Sequence, residues 1–244
     1  MGQLGRYFIF LYNMFTNREN FGVYVKMVVN ECYQIGVNSV FIFVLVSTFM
    51  GAVTVVQTAH NLISPLIPDY VIALVTRDMA ILEMSPTIMA IVFAGKVGSN
   101  ISSELGTMRI SEQIDAIEVM GINATSYLVL PKVIASLIVY PMLVILSGGL
   151  LLLGGYFAGI MTGVITPHEY AYGLRADFIP FNVSFALIKS FAFAFLVSSI
   201  SAFWGFHTRG GALEVGIAST GAVTSSCIAI LIADYLLAQL LLVF

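Results

Sequence analysis

Charge is what this sequence most lacks. Asp, Glu, Lys and Arg make up 9% of its 244 residues, against about 25% in soluble domains. A soluble fold is excluded, because a core this apolar would leave too little polar surface to keep the chain dispersed. Cysteine is scarce too. Cys32 and Cys227 stand far apart in apolar stretches and imply no disulfide framework. The histidines, His60, His168 and His207, fall in separate segments with no H-x-x-x-H pair, which leaves no metal site. The run AGKVGS lacks the full phosphate-loop pattern and no strand precedes it, and no G-x-S-x-G elbow occurs. An enzyme reading has no residues to stand on. The net charge of −3 gives no reason to expect nucleic acid. No small-residue cleavage site follows the N-terminal apolar run MGQLGRYFIFLYNMF, so that run is expected to belong to the mature protein.

Apolar residues are abundant. They account for 59% of the chain and give a mean hydropathy of +0.98. The expectation is an all-α membrane protein, one integral-membrane domain over residues 1–244. An interfacial helix is expected over about 4–34, where Leu4, Phe8, Leu11 and Phe15 share a face near Tyr7, Phe10 and Tyr12, with Arg6, Asn13, Asn17 and Arg18 close by. Five spans are expected at about 36–61, 86–106, 132–164, 181–206 and 219–244. The later half of the first carries Thr48, Thr54, Gln57, Thr58, His60 and Asn61, and a connection with Ser64, Pro65 and Pro68 follows. Ser85 as N-cap and Pro86 at the first helical position would open the second span. Two half-length pieces meeting at that proline would resemble the discontinuous helices that line transporter cavities. Pro141 would kink the third span, Gly155, Gly159 and Gly163 would give it a close-packing face, and 166–180 would be a polar loop.

The stretch from Phe93 to Ile122 sorts into ridges of residues four apart. Ala94, Gly98, Ser102 and Gly106 form a small-residue ridge, with Gly95, Ser99 and Ser103 beside it. Such ridges let a second helix approach closely in lipid. Lys96, Asn100 and Glu104 form a polar ridge, and Phe93, Val97, Ile101 and Leu105 an apolar one. Past Thr107 the pattern becomes a short amphipathic helix over about 111–121, with Ile110, Ile114 and Ile117 on one side and Glu112, Asp115 and Glu118 on the other. Ser111 is expected as its N-cap and Gly121 at its left-handed C-terminal position, with Ile122 touching Ile117.

Charges within spans are functional hypotheses, because an unpaired one at the bilayer centre costs at least about 2.5–3.5 kcal/mol. Glu83 could cap the Pro86 helix or line a transport path. Lys189 and Asp234, in the fourth and fifth spans, are expected to neutralise one another. With the N-terminus inside, Arg6, Arg18, Lys26, Arg109, Lys132 and Arg209 face the cytoplasm, against Arg77 and Arg175 outside. The positive-inside rule therefore places the N-terminus and the acidic loop helix in the cytoplasm and the C-terminus across the membrane.

The run AGKVGSNISSELGTMRISEQIDAIEVMGI resembles the signature of the MlaE-type permeases, through A-G-[RK]-x-G-S, E-[LI]-G-x-M-R and x-E-Q-[IL]-x-x-[ILM]-E-x-M. The likeness covers nearly the whole chain, including E-x-x-P at Glu83 and Pro86 and the Lys189 and Asp234 positions. Where the family often has R-E-L-G-P, this chain has Leu82, Glu83, Met84, Ser85 and Pro86, without the arginine. The resemblance implies the homodimeric membrane subunit of an ABC system moving phospholipid between envelope membranes, for outer-membrane lipid asymmetry. Each copy would dock a cytoplasmic ABC ATPase, holder of ATP and Mg, through Glu112, Gln113, Asp115, Glu118 and Met120. An MCE-domain protein would sit on the periplasmic side, and some systems add a STAS-domain protein. Lipid would enter a cavity lined by Thr54, Gln57, Thr58, Glu83 and Pro86. No transit peptide is visible, which favours a Gram-negative inner membrane. The alternatives are a secondary transporter or channel relaying ions through Glu83, Lys189 and Asp234, and a scaffold that anchors partners without transport.

Overall fold

The structure, a computed structural model, describes residues 3–16, 21–62 and 68–242. The regular elements among the described residues are all helical: α1 (Gln3–Phe15), α2 (Phe21–Asn61), α3 (Tyr70–Ile110), α4 (Gln113–Val119), α5 (Ala124–Met161), α6 (Pro167–Arg175), α7 (Phe181–Phe206) and α8 (Ala212–Leu242). Of these, α2, α3, α5, α7 and α8 are long and apolar enough to cross a membrane. The protein is an all-α membrane protein. Asn17, Arg18, Ser64 and Pro65 lie outside the described residues.

Helix α8 begins at Ala212, seven residues before the expected 219, and four further differences from the sequence reading have a local reason. The segment from Phe21 is the first part of α2, not a continuation of an interfacial helix. No proline interrupts it, and its polar Glu31 finds a partner in Lys132. At 1.5 Å per residue the 41 residues of α2 run about 61 Å, twice the hydrocarbon thickness. Pro86 does not divide two half-helices, because α3 runs unbroken past it. The helix widens into π winding over Ala80–Ile88 and again over Ala94–Gly98. A proline inside a helix removes a hydrogen bond and crowds the carbonyl four residues back, and a wider turn relieves both. Helix α5 begins eight residues before Lys132, where the Asn123 side chain accepts from the Ser126 N–H at 3.3 Å as an N-cap. The polar 166–180 segment contains a helix, α6, opened by a capping box: Glu169 N–H donates to Thr166 Oγ1 while the Glu169 carboxylate accepts from Thr166 N–H.

The helices form two compact units. The first comprises Met1–Ser39, Ala90–Tyr140 and Phe191–Phe244. In it α1 lays Tyr7 and Phe10 edge-on against Phe203, and Tyr7 shares a hydrogen bond with Ser199. The opposite face of α1 presents Phe8, Tyr12 and Phe15 outward. A short helix apolar on both sides suits a membrane interface, with protein on one side and lipid on the other. Along α3, Gly98 lies against Ser201 and Val197, Gly106 against Val215, and the Ser102 carbonyl against Gly205. Phe93 packs on Tyr140 with ring centroids 4.7 Å apart.

The second unit comprises Val40–Met89 and Pro141–Ser190. Here α2 and α5 touch backbone to backbone. A Cβ on Gly51 would fall on the Leu151 carbonyl, and one on Gly154 on the Thr48 carbonyl. Gly155 and Gly159 meet the side chain of Val55, but Gly163 has φ +71 and closes the end of α5, so it is not on the packing face. Val55, Ile72, Ala73, Ile165 and Tyr170 form the core beneath α6. Buried Arg77 reaches the C-terminal end of α6 and donates to the carbonyls of Ala176 at 2.6 Å and Leu174 at 3.2 Å. Those carbonyls have no partner within the helix, and a cation is favoured at that end.

Candidate functional site

The end of α3 turns directly into α4. The hydroxyl of Ser111 donates back to the Thr107 carbonyl at 2.7 Å, so Ser111 closes α3 and does not cap α4. Glu112 occupies the N-terminal position in left-handed conformation, φ 60, with no side-chain cap hydrogen bond. The helix expected over 111–121 therefore spans 113–119, shorter at both ends. Its far end closes as a Schellman motif: Gly121 has φ 82, the Gly121 N–H donates to Glu118, and the Ile122 N–H donates to Ile117 at 3.3 Å.

Two contacts hold α4 in place. Ile114 is fully buried, and Arg109 reaches from α3 to the Asp115 carboxylate at 2.6 Å while lying over the Phe206 ring. The remaining surface is open. Glu112, Gln113 and Glu118 are exposed, and Val119 and Met120 are 88% and 67% exposed. The helix buries one isoleucine and shows methionine, valine and carboxylates outward.

Within the second unit, Lys189 is fully buried and meets Glu83. Its Nζ donates to the Leu82 carbonyl at 2.9 Å and to Glu83 Oε1 at 3.2 Å, and it lies over the Phe185 ring. The chemistry follows from Pro86. In a helix the N–H of residue 86 would serve the Leu82 carbonyl, but proline has none. The π turn carries the helix past the proline, the ammonium donates to the same carbonyl, and Glu83, one residue on, supplies the counter-charge. Thr87 donates its hydroxyl to the other Glu83 oxygen at 3.2 Å. Glu83 is half exposed, so this pair joins a buried cation to an accessible anion. Asp234 is partly buried on α8, in the first unit. Of the first span's polar residues, Thr54 and Thr58 are buried and Gln57 is exposed. Thr54 donates to the Met50 carbonyl at 2.7 Å and sits 3.2 Å from Met84 Sδ.

A second buried lysine carries no sequence signal as clear as a span position. Lys132 of α5, 3% exposed, donates to Glu31 and to Glu104 at 2.8 Å each. It thereby ties α2, α3 and α5 together. The polar ridge of α3 lines the same cleft, with Lys96, Asn100 and Glu104 facing Gln34 and Asn38. Sequence spacing cannot pair residues 28 and 101 positions apart; the available signal was a lysine too deep in an apolar run to be solvated. On the small-residue ridges, Ala94 and Ser102 are buried and Ser99 accepts from Ser219 through its carbonyl, whereas Gly95 faces open space.

Residues 28–240 match the family model described as Permease MlaE. A probable ABC transporter permease protein of Rickettsia bellii is 32% identical over 237 residues, 97% of this chain and 91% of that protein. One from Synechocystis is 30% identical over 241 residues, 97% of this chain and 87% of that one. Protein TRIGALACTOSYLDIACYLGLYCEROL 1 of Arabidopsis thaliana, chloroplastic, is 36% identical over 166 residues, 64% of this chain and 45% of that protein. With the family model matching most of the chain and the two bacterial relatives matching nearly end to end, this protein belongs to the MlaE family and is a permease of the ABC-transporter type.

Proposed function

We propose that this permease moves phospholipid between the inner and outer membranes of a Gram-negative cell, working as a homodimer in the inner membrane and sustaining outer-membrane lipid asymmetry. The observation that carries the reading is α4, a capped helix locked to the end of α3 and open over the rest of its surface. Such a helix is a fitting seat for a cytoplasmic ATPase, which would bind ATP and Mg. The N-terminus lies on the same side, the C-terminus in the periplasm. An MCE-domain protein takes the periplasmic side, and a STAS-domain protein joins the ATPase in systems that have one. A diacylglycerol-based cargo is supported by the Arabidopsis relative, which carries the name of a galactosylated diacylglycerol lipid.

In this reading lipid enters a cavity between two protomers, past Gln57 and Glu83. Thr54, Thr58 and Pro86, which are buried in the single chain, stand behind that wall. ATP-driven closure of the motors pushes on α4, and the small ridges of α3 let helices slide as the cavity collapses. The experiment is charge reversal at Glu112, Asp115 and Glu118 in the reconstituted complex. Permease-stimulated ATP hydrolysis should be abolished while the folded permease persists in detergent, and coupling left unchanged would overturn the assignment.

A further inference from the structure

A cavity of about 590 Å³ opens in the first unit between α1, α7 and α8. None of the residues assigned above to transport or coupling lines it. Its volume falls in the range of small-molecule pockets, about 300–1,000 Å³, and its two ends differ in chemistry. At the mouth stand Arg6, Arg209, His207 and Glu214. The walls behind are apolar: Leu196 and Ile200 from α7, Ile228 and Ile232 from α8, with Trp204 between. From Phe206 back to Leu196 the α7 wall runs about 15 Å at 1.5 Å per residue. One leaflet of hydrocarbon is about 15 Å deep, half of the roughly 30 Å core. The cavity therefore has a charged end at an interface and an apolar length matching one leaflet.

The charge at the mouth favours an anion. Among the described residues neither Arg6 nor Arg209 has a carboxylate within ion-pair reach, and Glu214 is the single acidic side chain in the lining. A zwitterionic headgroup would bring its own ammonium against those arginines; an anionic one would not. His207 registers the same field. Burial of the ring holds its pKa below the ordinary value, a hydrogen bond with the Phe203 carbonyl acts the other way, and Arg6, Arg109 and Arg209 lower it further.

We propose that this cavity is a resident site for one anionic membrane phospholipid, with the phosphate held by Arg6 and Arg209 and an acyl chain lying between α7 and α8. The inference goes beyond the transport reading and does not rest on it, since the lipid here is a fixed component and not cargo. Its place has a consequence for coupling. His207 and Phe203 at the mouth stack with Phe10, and Phe10 packs on Phe206, the ring beneath Arg109, which holds Asp115 of α4. The lipid would sit one aromatic layer from the coupling helix.

Trp204 lines the cavity and is the single tryptophan of the chain, so its fluorescence reads this site alone. The full chain would be reconstituted into phosphatidylcholine vesicles carrying either dibrominated phosphatidylglycerol or dibrominated phosphatidylcholine. The anionic quencher should reach half-quenching at a roughly tenfold lower mole fraction, given two basic residues at the surface. In R6Q/R209Q the two curves should coincide while the unquenched spectrum stays the same. Ala229→Phe, which fills the apolar end and leaves the charges in place, should weaken quenching by both lipids. Equal curves for the parent protein, or a preference that survives in R6Q/R209Q, would overturn the proposal. So would a Trp204 that neither lipid quenches, the result expected if a second copy of the chain covers the cavity.

Discussion

At the scale of single residues, two buried lysines do unlike work. Lys132 sits between two carboxylates and Lys189 beside one carboxylate and the Leu82 carbonyl. Removing one partner from a buried ionic cluster typically costs about 3–5 kcal/mol, because the charges left behind stay desolvated. Lys132→Met is expected to lower the thermal midpoint of the purified permease by several degrees. Glu104→Gln should lower it less, since Glu31 still holds the ammonium. His207 gives a pH prediction. Its folded-state pKa lies below the ordinary 6.5, so between those two values the unfolded chain binds the extra proton. The stabilisation is present above about pH 6.5 and is lost as pH falls from there to the depressed value. Histidine NMR should find His207 still largely neutral at pH 6.5, and Arg109→Gln should move its titration back toward 6.5.

At the scale of elements, glycines fix the contacts. Gly51 and Gly154 each admit a carbonyl of the facing helix where a methyl group would collide with backbone. Gly51→Ala and Gly154→Ala are expected to reduce the yield of monodisperse permease in size-exclusion chromatography, with Gly149→Ala, whose Cβ would meet open space, as the unaffected control. Gly121→Ala should cost about 1 kcal/mol at the end of α4, because φ 82 suits only glycine there. Faster hydrogen exchange at the Ile122 amide would report it. The existence and type of the spans were legible in the sequence because apolar length and small-residue ridges are local patterns. The Schellman closure at Gly121 was legible for the same reason. Their limits were not. Ser85–Pro86 has the residues of a helix start, yet the Ser85 hydroxyl spends its hydrogen bond on Val144 of another helix at 2.6 Å, and the chain passes the proline by widening. Ser111 likewise has a capping residue's chemistry but bonds backward to Thr107. In both cases a neighbour decided between two uses of one hydroxyl, and Lys189 found Glu83 through a carbonyl that only the folded helix exposes.

At the scale of the whole molecule, five crossings put successive connections on alternate sides. A single cysteine at Val119 in α4 and one at Tyr172 in α6, both exposed, should react with a membrane-impermeant maleimide from opposite faces in a background lacking Cys32 and Cys227. Labelling of both from one face would contradict five spans. Chain length itself is looser than this crossing count suggests. A π turn holds roughly one residue more than an α turn. Deleting one residue from Ala94–Gly98 should rewind that stretch as α-helix and leave residues 99–110 aimed as before. The same deletion between Ile101 and Gly106 would swing everything beyond it by about 100°. The two wide turns are slack in an otherwise unforgiving rod, places where the gene can lose a codon and the permease keep its bearings.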